Sequence, residues 1–225
     1  MGSAIGQVLT YAVGVAVSPL PIVAVVLMLS TPRGRVNGPA FVASWAVALA
    51  VVGTIVLLIS SGASASSNGQ PATWLSVIKL LGGLALVVVA YRAYHRRPRG
   101  DAQPRLPSWM RTIDRFDARR SAGLAFALAV VNPKNLVLVI GAAAAIAQTG
   151  ASTGAQAGAL AVFVIIASLG PGIPVGIYFV MGARGKHILD GLRAWMAREN
   201  AVIMAVICLL IGVKLIGDAI TGFTA

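Results

Sequence analysis

Asn132-Pro133-Lys134-Asn135 interrupts an otherwise apolar run that extends from residue 123 to residue 146. A proline in a helix removes one backbone hydrogen bond and crowds the carbonyl four residues back. A lysine in hydrocarbon is costly and faces a protein interior or a water-filled cavity. The two asparagines bring hydrogen-bond donors and acceptors to the same point. These four residues therefore predict a broken membrane helix with a polar centre, and the rest of the chain is read outward from them.

The surroundings are those of an integral membrane protein. Of 225 residues, 58% are hydrophobic and 11% charged, and the mean hydropathy is +0.87. Soluble domains carry about a quarter charged residues. Six runs have the length and apolarity of a span, at 5–29, 40–59, 74–94, 122–147, 157–181 and 201–220. One transmembrane domain is expected, with no sizeable soluble part. Met1 to Thr10 lacks a basic n-region, so no cleavable signal peptide is expected, and Gly2 lacks the context for myristoylation.

The net charge of +12 would suit nucleic acid, but its distribution points to topology instead. Of 18 basic residues, 15 lie in three loops or at their edges. These are Arg33 and Arg35 after the first span, nine arginines from Arg92 to Arg120 after the third, and Arg184, Lys186, Arg193 and Arg198 after the fifth. The loops at 61–71 and 148–156 carry no charge. By the positive-inside rule the basic loops face the cytoplasm and both termini face out. The location so implied is a bacterial plasma (inner) membrane.

Three spans per half is an odd number, so a second half built like the first inserts upside down, as in many secondary transporters. The expected fold is all-α: six transmembrane helices as two inverted three-helix repeats. Residues 1–94 form the first repeat, 95–120 a basic cytoplasmic loop with an amphipathic helix, and 121–225 the second repeat. The first helix of each half carries an interruption, Ser18-Pro19-Leu20-Pro21 and Asn132-Pro133-Lys134-Asn135. Paired interruptions at corresponding positions point to a substrate site near the midplane. The fifth span, with Gly170, Pro171, Gly172 and Pro174 close together, is expected to be unwound as well. The candidate substrate-binding residues are thus Ser18, Pro19, Pro21, Asn132, Pro133, Lys134, Asn135, Pro171 and Pro174. Simple proline kinking is the plainer alternative at each.

In the long loop, Ser108 is placed to cap a short helix in which Trp109, Ile113 and Phe116 share a face. Such a helix lies on the membrane surface, as a topology anchor or a sensor of anionic lipid.

Four ionisable residues lie well within spans: Lys79, Lys134, Lys214 and Asp218. Lys214 and Asp218 stand four apart on one helical face. An ion pair of Asp218 with Lys214 or Lys79, or a coupling role for these three, is geometrically available. The alternative is that both lysines snorkel to the outer interface. Lys134 is too deep for that and is expected to hold an anionic group beside a half-helix N-terminus. Cys208 is the only cysteine and reads as a small buried hydrophobe. His95 and His187 are isolated in basic loops. No catalytic constellation, metal-ligand cluster or cofactor pattern appears, so neither enzymatic activity nor a cofactor is expected.

Ser18-Pro19-Leu20-Pro21 with Leu27-Met28-Leu29-Ser30-Thr31-Pro32-Arg33, and Ala129-Val130-Val131-Asn132-Pro133-Lys134-Asn135-Leu136, resemble the GAP family of glycolipid (or peptidoglycolipid, or sulfolipid) addressing proteins. These six-span actinobacterial proteins are placed in the lysine-exporter superfamily, which shares the asparagine-proline-lysine element. The resemblance implies export of cell-envelope lipids beside a larger lipid transporter. It leaves export of amino acids or other small solutes open, because the proline-lysine element is common to those relatives. A third reading is a non-transporting accessory subunit that binds a partner through the small-residue faces Gly82-Gly83 and 142–145. The expected partners are membrane lipids, a larger lipid transporter and further copies of the chain in a homo-oligomer, and not nucleic acid. The superfamily's electron carriers place a cysteine in the first and fourth spans, where this chain has none.

Overall fold

The computed structural model describes residues 2–66, 73–95, 113 and 115–224. Within them the chain is helical throughout: α1 (Gly2–Ala16), α2 (Pro19–Leu29), α3 (Gly34–Ser66), α4 (Thr73–His95), α5 (Ala118–Val130), α6 (Pro133–Gln148) and α7 (Thr153–Thr224). Four stretches are long and apolar enough to cross a membrane, at Gly34–Ser61, Ser76–His95, Thr153–Gly182 and Arg198–Phe223. Two bent pairs, α1 with α2 and α5 with α6, reach that length only together, which gives up to six spans. Large apolar side chains such as Leu58, Ile165, Val180 and Leu210 point outward. Lipid is the solvent in which such a surface is stable, since helices satisfy their own backbone groups there. The molecule is a multi-pass membrane protein.

Both expected breaks are present. The axis turns by 52° between α1 and α2 and by 67° between α5 and α6. At each, the residue before the proline is extended: Ser18 at φ −71°, ψ 114° and Asn132 at φ −70°, ψ 112°. A residue preceding proline is driven out of the helical region, and proline is well suited to the first helical position. Each break is thus a helix that stops and a new one that starts.

The fifth span differs from expectation. Residues 168–174 stay helical despite Pro171 and Pro174, and α7 instead bends at Gly182 (φ 52°, ψ −124°). A proline costs one hydrogen bond and some crowding, which a packed membrane helix absorbs. A positive φ is a stronger local demand, and glycine meets it without steric cost. Residues 183–197, expected as a loop, continue as helix.

The helices gather charge at one end. Asn37 Nδ2 donates to the Phe116 carbonyl at 2.9 Å and Ser44 Oγ to that of Ala122 at 2.8 Å, which brings the starts of α3 and α5 together. Asp117 caps α5 by accepting from the Arg120 N–H at 2.8 Å, and that bond holds its carboxyl below the usual range. At the opposite end Ser61 Oγ donates to Gln156 Oε1 at 3.2 Å and Tyr11 OH to Asp218 Oδ2 at 3.1 Å. The expected Ser108–Trp109 loop helix lies outside the described residues. Ile113, placed in the sequence on its membrane-facing side, is buried within the protein.

The small-residue faces are used internally. An added Cβ on Gly83 would meet the Gly212 carbonyl oxygen at 2.8 Å, and one on Gly212 would meet that of Gly83 at 2.9 Å. Here α4 and the second arm of α7 touch backbone to backbone. Gly82 approaches Val137, and Ala142 to Ala145 are buried. Gly83 and Ala142 to Ala145 are therefore used within the protein, while Gly82 stays half-buried.

Candidate functional site

The two breaks meet. Ser18 Oγ donates to Asn135 Oδ1 at 2.9 Å across the interface between the first and second halves. Ser18 consequently makes no side-chain cap of α2, whereas Asn132 caps α6 by accepting from the Lys134 N–H at 3.1 Å. Of the first three positions of α2, only Leu20 carries an N–H, because Pro19 and Pro21 have none.

Each break also frees a carbonyl. In an unbroken helix the Ser18 N–H would reach the Gly14 carbonyl, but it turns to that of Val15 at 3.1 Å. The Lys134 ammonium takes its place, donating to Gly14 O at 2.9 Å. The corresponding carbonyl in the second half belongs to Leu128, four residues before Asn132. Asn135 Nδ2 donates to it at 3.2 Å. Consecutive side chains of α6 thus satisfy the equivalent orphan carbonyls of both halves, as buried backbone oxygens require. Lys134 is 2% exposed and Asn135 fully buried, so the site is closed on itself.

The prolines of α7 belong to the same neighbourhood. Gly170 lies so close to the end of α1 that an added Cβ would stand 2.0 Å from the Ala16 carbonyl oxygen. Pro171 and Pro174 are buried beside this contact. Pro171 deprives the Ala167 carbonyl of its helical donor, and the indole Nε1 of the buried Trp45 donates to that oxygen at 3.4 Å. The nine candidate residues therefore gather around the two breaks and the helix packed on them, although only Ser18, Lys134 and Asn135 make bonds between elements there.

Two of the remaining ionisable residues, Lys214 and Asp218, form a second group. Lys214 Nζ pairs with Asp218 Oδ2 at 2.6 Å, one of the two ion-pair geometries available in the sequence. Lys79 does not join them; its ammonium is buried and donates to Gln148 Oε1. Tyr11 completes the group, bonding Asp218 and lying under the Lys214 ammonium, which is 4.9 Å from the ring centroid. Tyr11 is three residues from Gly14 on α1, so less than one helical turn joins the two groups. Sequence reasoning missed Tyr11, Gln148 and Trp45. The lone glutamine at the end of an apolar helix was the only signal among them.

Residues 8–221 match the model of a protein family, SfLAP, described as "Sap, sulfolipid-1-addressing protein". The chain belongs to the SfLAP family. This agrees with the resemblance to addressing proteins carried by the two proline elements. Both helix breaks of this SfLAP member, the Ser18–Asn135 bond and the Tyr11–Asp218 group fall within the matched residues. No curated protein and no solved structure matches the chain.

Proposed function

We propose that the protein moves cell-envelope glycolipids with anionic headgroups across the plasma membrane, or assists a larger lipid transporter in doing so, with Lys134 as the headgroup ligand. The observation that carries this reading is the position of Lys134: a buried ammonium, on the first turn of a half-helix, resting on a backbone carbonyl of the other half. A carbonyl oxygen is a partial charge, and a sulfate or carboxylate is a full one, so an anion displaces it readily. The N-terminus of α6 adds its own positive end, and that of α2 adds the Leu20 N–H. The SfLAP description of an addressing function for a sulfolipid supports an anionic glycolipid as cargo.

The helices are arranged, on this reading, as six spans in two inverted repeats with both termini outside. The equal backbone angles at Ser18 and Asn132, and the equivalent orphan carbonyls of Gly14 and Leu128, support that symmetry. The α5–α6 pair moves away from α1–α2 to admit the headgroup, breaking the Ser18–Asn135 and Lys134–Gly14 bonds. Acyl chains remain in lipid against the apolar outer faces. Small-solute export is the second reading; the sealed site favours neither cargo, and the sulfolipid in the family's description favours the lipid.

Reconstituted vesicles test the proposal. A fluorescent sulfated glycolipid should exchange between leaflets faster with the wild-type chain than in protein-free vesicles, and Lys134→Gln should remove the difference. Equal exchange in wild-type and protein-free vesicles would overturn it.

A further inference from the structure

A cavity of about 570 Å³ lies between the α2–α3 turn and the bend of α7. Its wall carries the cations Arg35 and Lys186 together with Tyr178, Phe179 and Leu189, with Gly182 at the bend. We propose that this cavity is a loading site for the oxyanion headgroup, a sulfate or phosphate ester, of a membrane amphiphile, with the acyl chain against Tyr178, Phe179 and Leu189.

Charge decides the headgroup. The ion pairs among the described residues are Arg198–Glu199 and Lys214–Asp218, and neither involves Arg35 or Lys186. Asp190 stands one turn beyond Lys186 and makes no ion pair with it. Two uncompensated cations facing one cavity favour an anion, and Arg35 offers a fork that matches a tetrahedral oxyanion. The opposing influence is the C-terminus of α2, whose free carbonyls would repel an anion. Three of its last four carbonyls, those of Val26, Leu27 and Met28, are occupied. The Ser30 N–H reaches Val26 and Leu27, and the N–H and hydroxyl of Thr31 both reach Met28, the hydroxyl at 2.7 Å. The two full charges therefore dominate.

The place in the fold gives the site its use. Leu29, at the far end of α2, borders the cavity, and Pro19, at its start, borders the broken-helix site. They are the two ends of an eleven-residue helix, ten steps and about 15 Å apart. The cavity volume suits a headgroup rather than a whole lipid. It lies among the basic residues that the positive-inside rule assigns to the cytoplasm, where a newly made lipid would be met. Only this last step, delivery towards Lys134, rests on the transport reading; binding in the cavity stands apart from it.

The test uses the full chain in detergent micelles, titrated with a sulfated galactosylceramide, with the uncharged galactosylceramide and with sodium sulfate, and read by thermal shift and native mass spectrometry. The sulfated lipid should bind at least about tenfold tighter than the uncharged one, as expected for charge-assisted bonds. In a Lys134→Gln background, which silences the other proposed headgroup ligand, Arg35→Gln with Lys186→Gln should abolish the preference, Arg35→Lys with Lys186→Arg should retain most of it, and Arg198→Gln should leave it unchanged. Undiminished preference in the double glutamine variant overturns the site. So does an equal loss in Arg198→Gln, which would mean surface charge alone, or binding of sodium sulfate with no preference for the lipid. Arg35-dependent binding together with absent leaflet exchange would overturn the transport reading and keep the cavity. Exchange that survives the double variant with unchanged binding does the reverse.

Discussion

The Lys134 ammonium and the Gly14 carbonyl, 2.9 Å apart, join the second broken helix to the first through a bond that an intact helix would not offer. The oxygen is available only because the backbone turns at Ser18, and the ammonium reaches it only because α6 begins at Pro133. One sequence device, a proline at the first position of a half-helix, thus creates both partners.

The energetics of that bond set a first expectation. A hydrogen bond to a charged group contributes about 1.5–3 kcal/mol, whereas burying an ammonium without a carboxylate costs several kcal/mol. Desolvation is the larger effect. Lys134→Met should therefore raise the melting temperature in micelles while leaflet exchange of a sulfated lipid is lost. A fall in melting temperature would mean that the Gly14 bond outweighs the buried charge.

The contact between the halves at Ser18 and Asn135 is open to a double-mutant cycle. Ser18→Ala, Asn135→Ala and the combination, compared by thermal unfolding, should give a coupling of about 0.5–1.5 kcal/mol. Asn135→Ala should be the costlier single change, because it also strands the Leu128 carbonyl. Additive effects would mean that the halves are not linked at this bond.

Gly170 and Gly172 stand two residues apart and should respond oppositely to alanine. A Cβ at 170 collides with the backbone of Ala16, which no rotamer relieves, and should cost about 1–3 kcal/mol or prevent folding. A Cβ at 172 meets nothing within 4 Å and should stabilise the helix by about 0.5–1 kcal/mol. Yield and melting temperature of the two variants decide it.

Trp45 and Pro171 form a compensating pair. Trp45→Phe leaves the Ala167 carbonyl without a donor, and the long 3.4 Å bond puts the hydrogen-bond part of the loss near about 1 kcal/mol. Pro171→Ala in the same background restores a main-chain N–H at the position that Ala167 expects. Stability of the double variant should exceed that of Trp45→Phe alone.

The parts legible in the sequence were those with a local cause. Prolines 19 and 133 stop a helix by their own geometry, so both breaks could be placed within a residue. The i, i+4 spacing of Lys214 and Asp218 made their pair one of the available readings, beside pairing with Lys79 and snorkelling of both lysines. The parts that were not legible depend on packing between distant elements. Pro171 looks as disruptive in sequence as Pro133, yet Trp45, which lies 122 residues from Ala167, makes its helix tolerable. Lys79 pairs with Gln148 rather than Asp218 because α6 ends beside α4, which no spacing rule conveys. The bend falls at Gly182 and not at Gly185, three residues on, and nothing in the local sequence separates the two.

The backbone contact of Gly83 with Gly212 leaves no side chain between α4 and the last arm of α7. Two helices touching in this way have no room to approach further and little to gain by sliding, so they behave as a stator. On the transport reading proposed above, the proline-broken pairs, held across by single hydrogen bonds, are then the rotor. Stiffness and compliance would on that reading be allotted by residue size: glycine where helices must not move, and serine, asparagine and lysine where they must let go.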